Sequence, residues 1–409
     1  MPHHIPAIKS GANCARCPLV NESCGPVAGV GPANAQLLVV GDYPEGPEVD
    51  AGRPIETDWS TLRRLLSGVS FRVVNSIACY PAPDLKTARK IWKRNKAGSA
   101  EEACLDLLRN ELSAFGGHAI LALGEHAMAA VAKCYGVTVG RGAKERSGDK
   151  RLAAHGTQRG HPFRLPDGKW LLPSYPPKHK RRAPHWYGAI VDDIKNAAHL
   201  AKGGDVIPDP DWIYRPTLET ILDWCFKSRA SGQPVMVDIE TAGLDSASQI
   251  RCVGLGQEGL PIIIVPRFQI DGTPYWTQRD LDKVDSHLRV LHDSTPLQFQ
   301  NGYFDTRLLL HQGLMTNRRK TWQDLKDLHR NSRESDCSHK LASISSRFAL
   351  VELWKGDVDH KALEYDDAEL TPEQKEQREY EYHLYCARDI DLQMRSIRGV
   401  VCWQAEDLA

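Results

Sequence analysis

Short apolar runs alternate with helical patterns in the first half of the chain. The apolar runs predict buried strands at 36–40, 71–74, 119–123 and 170–173. Apolar residues spaced three and four positions apart predict helices at 59–66, 100–115, 125–133 and 185–199. Because strand and helix alternate, the pattern predicts a parallel sheet covered by helices. Functional groups in such sheets collect in the loops that leave the carboxyl ends of the strands.

The second half has a pattern of the same kind. Strands are predicted at 235–238, 251–256, 262–265 and 297–300, and helices at 218–230, 279–292, 303–312 and 372–398. Between the halves, residues 201–212 are rich in Gly, Pro and Asp, which end regular structure. The sequence therefore predicts two α/β domains, 1–204 and 205–409.

Composition narrows the class of protein. The chain has 409 residues, of which 41% are hydrophobic and 25% charged, and this excludes a disordered or fibrous chain. It has neither an apolar run of about 18 residues nor a secretory leader, so we expect a cytoplasmic protein without membrane contact. The 11 cysteines show no secreted-domain framework, which favours thiols, core residues or metal ligands.

The net charge of zero conceals a division. Residues 1–203 carry 28 Lys and Arg against 18 Asp and Glu, whereas 204–409 carry 24 against 34. A basic half suits a polyanion such as nucleic acid, and an acidic half can hold carboxylates around divalent cations. Two ordinary surfaces of opposite charge, docked on each other, would explain the division equally well.

Four carboxylates and a tyrosine form a candidate site in the acidic half. Asp238 and Glu240 end an apolar run two residues apart, so on a strand both face the same side. Asp305 opens a predicted helix, and Tyr385 and Asp389 are four residues apart on one helix face. Four acids from three segments can hold two divalent cations, which support phosphodiester hydrolysis.

The order of these motifs resembles the DEDDy 3′–5′ exonuclease family, and most closely the proofreading domain of DNA polymerase I-like (family A) polymerases. The sequence has Asp-Ile-Glu-Thr from Asp238, then Asn301 four residues before Asp305, then Tyr385 four residues before Asp389. The resemblance covers about residues 215–400 and implies a ribonuclease H-like α/β fold.

This resemblance implies an activity and a set of roles. The substrate would be the 3′ end of single-stranded or frayed DNA, which Asn301 would contact. The residues expected to hold two Mg²⁺ or Mn²⁺ ions are Asp238, Glu240, Asp305 and Asp389, and Tyr385 would orient the attacking water.

A partner is also expected. Proofreading domains of this type normally precede a polymerase, whereas this sequence ends at Ala409. We therefore expect a separate DNA polymerase of family A, and a bacteriophage protein that works in the cytoplasm of a bacterial host.

Four cysteines stand out in the basic half. Cys14 and Cys17 form a C-x-x-C motif, Cys79 follows a predicted strand and Cys104 opens a predicted helix. By itself, C-x-x-C is typical of a zinc knuckle or a redox pair.

The stretches around the cysteines resemble the iron–sulfur uracil-DNA glycosylases (family 4 and relatives). The resemblance rests on 41–55, 74–81, 102–112 and 120–124, and it covers roughly residues 12–200. It implies a three-layer α/β/α domain in which the four cysteines hold a 4Fe–4S cluster. Cys24 could compete as a ligand, and structural zinc is the alternative.

The glycosylase pocket departs from the family pattern. Its positions are Asp42, Tyr43, Ile55, Asn75 and Pro176. Enzymes of this family hydrolyse the glycosidic bond of a flipped-out base. Asn75 is retained, but Ile55 replaces the stacking phenylalanine and Pro176 replaces the histidine. We therefore expect a degenerate pocket without uracil excision, although His179, three residues after Pro176, could substitute for the histidine.

Two basic runs suit DNA binding. The residues concerned are Arg89, Lys90, Trp92, Lys93, Arg94, Lys180, Arg181 and Arg182. Lys and Arg neutralise phosphates, and a neighbouring tryptophan can stack on a base. A solvated basic loop is the alternative for either run.

Together these features favour the exonuclease subunit of a split family A polymerase, with a glycosylase-like domain for DNA binding or docking. One alternative is a bifunctional repair enzyme with active uracil-DNA glycosylase. Another is an assembly protein in which the cluster is structural and neither site is active.

Overall fold

The computed structural model describes residues 13–19, 26–80, 86–88, 90, 99–139, 154–242, 249–269, 271–316, 322–332, 338–354 and 370–406. By its internal contacts the chain divides into two compact units. The N-terminal unit comprises Met1–Ile207 and Leu350–Leu353, and the C-terminal unit comprises Pro208–Ala349 and Trp354–Ala409.

The N-terminal unit is built on a five-stranded sheet. Its strands are Leu37–Gly41 (β1), Phe71–Asn75 (β2), Ala119–Leu123 (β3), Phe163–Arg164 (β4) and Trp170–Ser174 (β5). Their order is β2-β1-β3-β5-β4, and all pairs are parallel except β4 with β5. The predicted parallel sheet is confirmed, and the two-residue β4 is too short to leave a periodic signal.

Helices cover both faces of this sheet. Along β1, Leu38 and Val40 enter one apolar cluster, whereas Leu37 and Val39 enter another on the opposite face. The first cluster is completed by helices Ala100–Ala114 and Glu125–Cys134, and the second by Trp59–Leu65 and Tyr187–Ala201. Shorter helices span Gly46–Ala51 and His155–Gln158. The unit therefore has the three-layer α/β/α arrangement that the sequence predicts.

The C-terminal unit contains a mixed six-stranded sheet. Its strands are Trp212–Ile213 (β6), Val235–Thr241 (β7), Ile250–Gly256 (β8), Ile262–Pro266 (β9), Leu297–Phe299 (β10) and Trp322–Asp324 (β11). The order is β11-β10-β7-β8-β9-β6, with β8 antiparallel to both of its neighbours and the other pairs parallel.

The two faces of β7 carry different kinds of side chain. Val235, Val237 and Ile239 point into the main apolar cluster. The helices on that face are Leu218–Ser231, Gln278–Ser294 and Tyr303–His311. Because neighbouring strand residues alternate, Asp238 and Glu240 face the opposite side.

The long helix Pro372–Glu406 packs on this opposite side. Gly254 and Gly256 of β8 allow the close approach, since a Cβ at either position would collide with Cys386 or Ile390. Two shorter helices, Leu325–Arg330 and Leu341–Ser345, complete the unit. None of the helices in the described part of the chain has the length and apolarity needed to cross a membrane.

Candidate functional site

Two carboxylates on β7 form the centre of the candidate site. Asp238 and Glu240 share the face that meets helix Pro372–Glu406. Gln393 of that helix donates from Nε2 to Asp238 Oδ1 at 3.2 Å, and the Cys386 thiol lies 4.0 Å from Asp238 Oδ2. Donor atoms of Asp238, Glu240 and Cys386 all lie within 4.8 Å of one another, which makes this a group able to hold a metal ion.

Asp305 brings a third carboxylate to β7. It lies in the first turn of helix Tyr303–His311, and its Oδ1 accepts a hydrogen bond from the Ile239 backbone N–H at 3.3 Å. Burial, followed by the neighbouring Asp238 carboxylate, raises the pKa of Asp305 well above its usual value. A buried carboxylate, Asp305, therefore lies beside the partly exposed Asp238 carboxylate that repels it.

Tyr385 and Asp389 approach the same carboxylates from the long helix. Burial raises the pKa of the Tyr385 hydroxyl, and the negative charges of Asp389, Glu240 and Asp238 raise it further. Asp389 is itself buried, and its Oδ1 accepts a hydrogen bond from Trp354 Nε1. The structure thus brings together the five residues that the sequence analysis drew from three segments.

A turn with several hydrogen bonds precedes the helix of Asp305. Asn301 has a left-handed backbone with φ of +60°, a conformation that Asn tolerates better than most residues. The Asp324 carboxylate accepts from the backbone N–H groups of Asn301 at 3.0 Å and Gly302 at 2.8 Å. Lys326 donates from Nζ to Asn301 Oδ1 at 2.7 Å, and the Tyr303 ring beside it is 68% exposed.

Sequence reasoning missed three side chains at this site. Cys386 and Gln393 contact Asp238, and Tyr382 is buried close enough to Glu240 for that carboxylate to raise the pKa of its hydroxyl. Their spacing relative to Asp389 follows the helical period, so 382, 386, 389 and 393 form one stripe. That stripe was a signal in the sequence that could have identified them.

The donors fit a divalent cation. Carboxylate oxygens are the preferred ligands of Mg²⁺ and Mn²⁺, and they are supplied at one partly exposed site by Asp238, Glu240 and the buried Asp305. Burial, followed by repulsion from Asp238, raises the pKa of Asp305, and a bound cation would offset both effects by favouring the charged carboxylate.

The four predicted cluster cysteines come together in the N-terminal unit. Cys17 and Cys104 belong to one apolar cluster, and Cys79 packs against it. The Asn13 N–H donates to Ala103 O at 2.9 Å, which ties the C-x-x-C turn to the helix of Cys104. Burial raises the pKa of the Cys104 thiol to about 12, with further contributions from Cys17, Cys79 and Cys14.

In the glycosylase-like pocket, Asp42 caps a helix. Its Oδ1 accepts from the Ala127 N–H at 2.8 Å, at the start of helix Glu125–Cys134. Gly124 precedes that helix, and a Cβ there would lie 2.3 Å from the Asp42 carboxylate oxygens. Asp42 therefore serves the helix N-terminus, where a carboxylate is stabilised by the N–H groups.

Ile55 and Asn75 lie side by side next to Gly41. A Cβ at Gly41 would lie 2.5 Å from Asn75 Oδ1 and 3.0 Å from Ile55 Cδ1. Ile55 is buried and has a φ of +56°, which is strained for a β-branched residue. Within the described part of the chain, the amide of Asn75 is buried and has no hydrogen-bond partner.

The remaining pocket positions are Pro176 and Tyr43. Pro176 follows Tyr175, whose ring stacks on His179 with centroids 4.5 Å apart. Tyr43 packs against the cluster that contains Cys17 and Cys104. His179, the histidine that could substitute for the one replaced by Pro176, is therefore stacked on the Tyr175 ring.

Only part of the predicted DNA-binding set can be located. Lys180, Arg181 and Arg182 are exposed in and directly after the turn Pro177–Arg181, and Lys180 lies over the Tyr187 ring. Lys90 is exposed. The predicted residues Arg89, Trp92, Lys93 and Arg94, and the competing Cys24, lie outside the described residues.

Comparison with family models supports the N-terminal resemblance. Residues 28–198 match the model of the uracil DNA glycosylase superfamily. The N-terminal unit thus resembles these enzymes in sequence, as predicted. A search of curated proteins found no match.

Several solved structures show weak similarity to the chain. One is a nuclease in its apo form, with 16% identity over 48% of this chain and 80% of that chain, and a TM-score of 0.31. NrnC of Brucella melitensis with bound Mg²⁺ is 18% identical to this chain. The match covers 43% of this chain and 75% of NrnC, with a TM-score of 0.29. RNase D of Escherichia coli, an exoribonuclease, is 14% identical to this chain. The match covers 47% of this chain and 46% of RNase D, with a TM-score of 0.28. Similarities at this level assign no activity.

Proposed function

We propose that the C-terminal unit is a metal-dependent 3′–5′ DNA exonuclease of the proofreading type. The observation that carries the proposal is the meeting of Asp238, Glu240, Asp305, Tyr385 and Asp389 at one site, where Asp238 and Glu240 are partly exposed and the other three are buried. Chance rarely brings four acids from three segments into one interior, because uncompensated buried charge is costly.

Each residue has a role in the proposed reaction. Divalent cations bound by the four carboxylates would activate water and stabilise the leaving oxygen. Tyr385 stays protonated because its pKa is raised, so its hydroxyl can donate to or orient the attacking water but does not act as a base. Asn301 and the exposed Tyr303 lie beside the site and are suited to hold the terminal nucleotide.

The N-terminal unit, proposed as domain 1–204, would hold a 4Fe–4S cluster and would not excise uracil. Cys17 and Cys104 share one apolar cluster, Cys79 packs against it, and Cys14, Cys17 and Cys79 lie close enough to Cys104 for their charges to raise the pKa of its thiol. Four thiolates brought together in this way suit a 4Fe–4S cluster, with structural zinc as the alternative. The capping role of Asp42 and the place of Ile55 support a degenerate pocket.

The partner would be a separate family A DNA polymerase, with domain 205–409 editing the 3′ ends that it produces. The exposed basic turn at Lys180–Arg182 suits contact with the DNA backbone. Co-purification of the chain with such a polymerase would support this role. A protein that neither binds any family A polymerase nor changes its error rate would contradict it.

One observation favours a second candidate function. The unpartnered amide of Asn75 keeps a group able to read a base edge, as an active glycosylase requires. A bifunctional repair enzyme is therefore the competing proposal.

One substrate separates the two proposals. A 5′-labelled DNA strand with an internal uracil and a mismatched 3′ end is incubated with protein and Mg²⁺, and separately with EDTA followed by hot alkali. Shortening from the 3′ end that requires Mg²⁺ and is lost in Asp238→Asn, without an alkali break at uracil, supports the exonuclease. An alkali-labile break at uracil in EDTA supports the repair enzyme, and intact DNA in both arms contradicts both proposals. A matched RNA strand tests the preference for DNA.

A further inference from the structure

The thiol of Cys386 is an unexpected donor at the proposed metal site. It follows Tyr385 on the long helix and lies within 4.8 Å of donor oxygens of both Asp238 and Glu240. Its Sγ is 4.0 Å from Asp238 Oδ2, and its side chain is fully buried. Mg²⁺ takes oxygen ligands almost exclusively, so in the proposed hydrolysis this sulfur would not bind the metal and would only donate a hydrogen bond to Asp238.

The surroundings hold the thiol at this position. Gly254 lies beneath Cys386, and a Cβ there would lie 2.6 Å from the sulfur. Cys252 is the cross-strand partner of Glu240, is fully buried and is hydrogen-bonded to the Cys386 side chain. Strand register, a glycine and a second thiol therefore all fix the sulfur beside the two carboxylates.

The spacing matches a metal that accepts both sulfur and oxygen. With Zn–S of about 2.3 Å and Zn–O of about 2.1 Å, tetrahedral geometry separates sulfur and oxygen by about 3.6 Å. The observed 4.0 Å between Cys386 Sγ and Asp238 Oδ2 is a few tenths of an ångström longer. A small side-chain rotation would close this gap, whereas in a site for oxygen ligands alone the thiol would remain a hydrogen-bond donor to Asp238.

We infer that Asp238, Glu240 and Cys386 form a thiol–carboxylate site for Zn²⁺, and that Zn²⁺ bound there holds the proposed exonuclease inactive. The inference rests on the proposed function for its consequence, but the binding site itself does not. On binding, the thiol loses its proton to solvent and the sulfur becomes a thiolate ligand. Zn²⁺ would then occupy the oxygens that Mg²⁺ needs, and with a sulfur ligand it would leave more slowly.

Cobalt provides a direct readout, because Co²⁺ occupies zinc sites and gives a charge-transfer band with a thiolate ligand. The full-length protein is titrated with Co²⁺ as wild type, Cys386→Ser, Cys386→Ala and the matched control Cys402→Ser. Cys402 is exposed near the end of the long helix, so its replacement controls for loss of one thiol. The N-terminal cysteines contribute the same background to all four proteins.

The expected result is a band in wild type and Cys402→Ser that is stronger than in either Cys386 variant and is abolished by Zn²⁺. Zinc affinity, measured by competition with a chromophoric chelator, should fall at least tenfold in both Cys386 variants. Circular dichroism melts establish that the variants are folded. Equal bands and equal zinc affinity in folded Cys386 variants and wild type would overturn the inference.

The experiments distinguish failure of the zinc-site inference from failure of the exonuclease proposal. A cobalt band that depends on Cys386, in a protein without Mg²⁺-dependent hydrolysis, would retain the zinc site and reject the exonuclease. If hydrolysis is lost in Asp238→Asn but the cobalt band is the same in wild type and the Cys386 variants, the zinc site is rejected and the exonuclease is retained. If both hold, micromolar Zn²⁺ added to the Mg²⁺ reaction should slow wild type and Cys402→Ser, and excess chelator should restore the rate.

Discussion

Trp354 donates its indole N–H to the Asp389 carboxylate, and both side chains are buried. The bond orients the last acid of the candidate site from a residue 35 positions earlier in the chain. A hydrogen bond to a buried carboxylate is stronger than a neutral one and selects one orientation of the acid. Trp354 is therefore a positioning residue.

Trp354→Phe should lower exonuclease kcat about tenfold or more, because a bond to a charged group contributes about 1.5–3 kcal/mol. Phenyl is smaller than the fully buried indole, so the melting temperature should also fall, and a control with the same loss of volume is needed. Trp224→Phe is the matched control, since its buried indole N–H donates to Pro261 O at 2.8 Å away from the acids. Equal kcat in the two variants would contradict the positioning role.

Tyr385→Phe should slow hydrolysis by about tenfold to a hundredfold, because the water loses its orienting group while the carboxylates remain. Binding of single-stranded DNA in Ca²⁺ should be unchanged, so the loss should be in kcat and not in KM. Tyr380→Phe, which alters a partly exposed ring on the same helix, serves as the control. A wild-type kcat in Tyr385→Phe would show that the Tyr385 hydroxyl has no role in the reaction.

Removing divalent cations should destabilise the C-terminal unit, and more so at higher pH. The pKa of Asp305 is raised in the folded state, so the folded protein keeps a proton that the unfolded chain loses. Stability in EDTA is therefore present at low pH and is lost as pH rises from the usual carboxyl pKa through the raised one. Mg²⁺ should restore the melting temperature at neutral pH.

Asp305→Asn tests this directly. In EDTA at neutral pH it should melt above wild type, because a neutral amide avoids the cost of burying a charge and is not repelled by Asp238. It should also not respond to Mg²⁺ as wild type does. Asp327→Asn changes an exposed acid paired with Arg330 and should leave the Mg²⁺ response intact. Equal Mg²⁺ responses in all three proteins would mean that Asp305 does not hold the cation.

Asp324→Ala should destabilise the C-terminal unit by about 1–3 kcal/mol, because it removes the acceptor of several backbone N–H groups. These belong to Asn301, Gly302 and Lys326, so the turn before Asp305 should loosen and KM should rise with kcat less affected. Urea unfolding measures the first effect and steady-state kinetics the second. Asp327→Ala is the control. A similar loss of stability in that variant would show that removing any acid from helix Leu325–Arg330 has this effect.

His383 should make the protein sensitive to acid. It is buried, and burial, followed by the charge of Arg215, lowers the pKa of its imidazole from 6.5 to about 3. The unfolded chain therefore takes up a proton first, and stability should fall as pH drops below 6.5 towards 3. The urea midpoint of His383→Gln should depend less on pH than that of wild type, whereas His311→Gln, on an exposed residue, should not differ.

Periodicity located most strands and helices because apolar alternation is a local property of neighbouring residues. Asp238 and Glu240 could be assigned to one strand face, and Tyr385 and Asp389 to one helix face, for the same reason. The two-residue strands β4 and β6 could not be located, since they exist only through pairing with neighbouring strands.

The sequence by itself indicated the two α/β folds and predicted five residues of the candidate site, since spacing along one element sets which side chains share a face. Only the tertiary structure decided that Asp42 caps a helix, that Trp354 holds Asp389 and that Cys386 lies beside the carboxylates. Each of these contacts joins residues far apart in the chain, and they meet only because packing of the apolar core fixes how helices lie on the sheets.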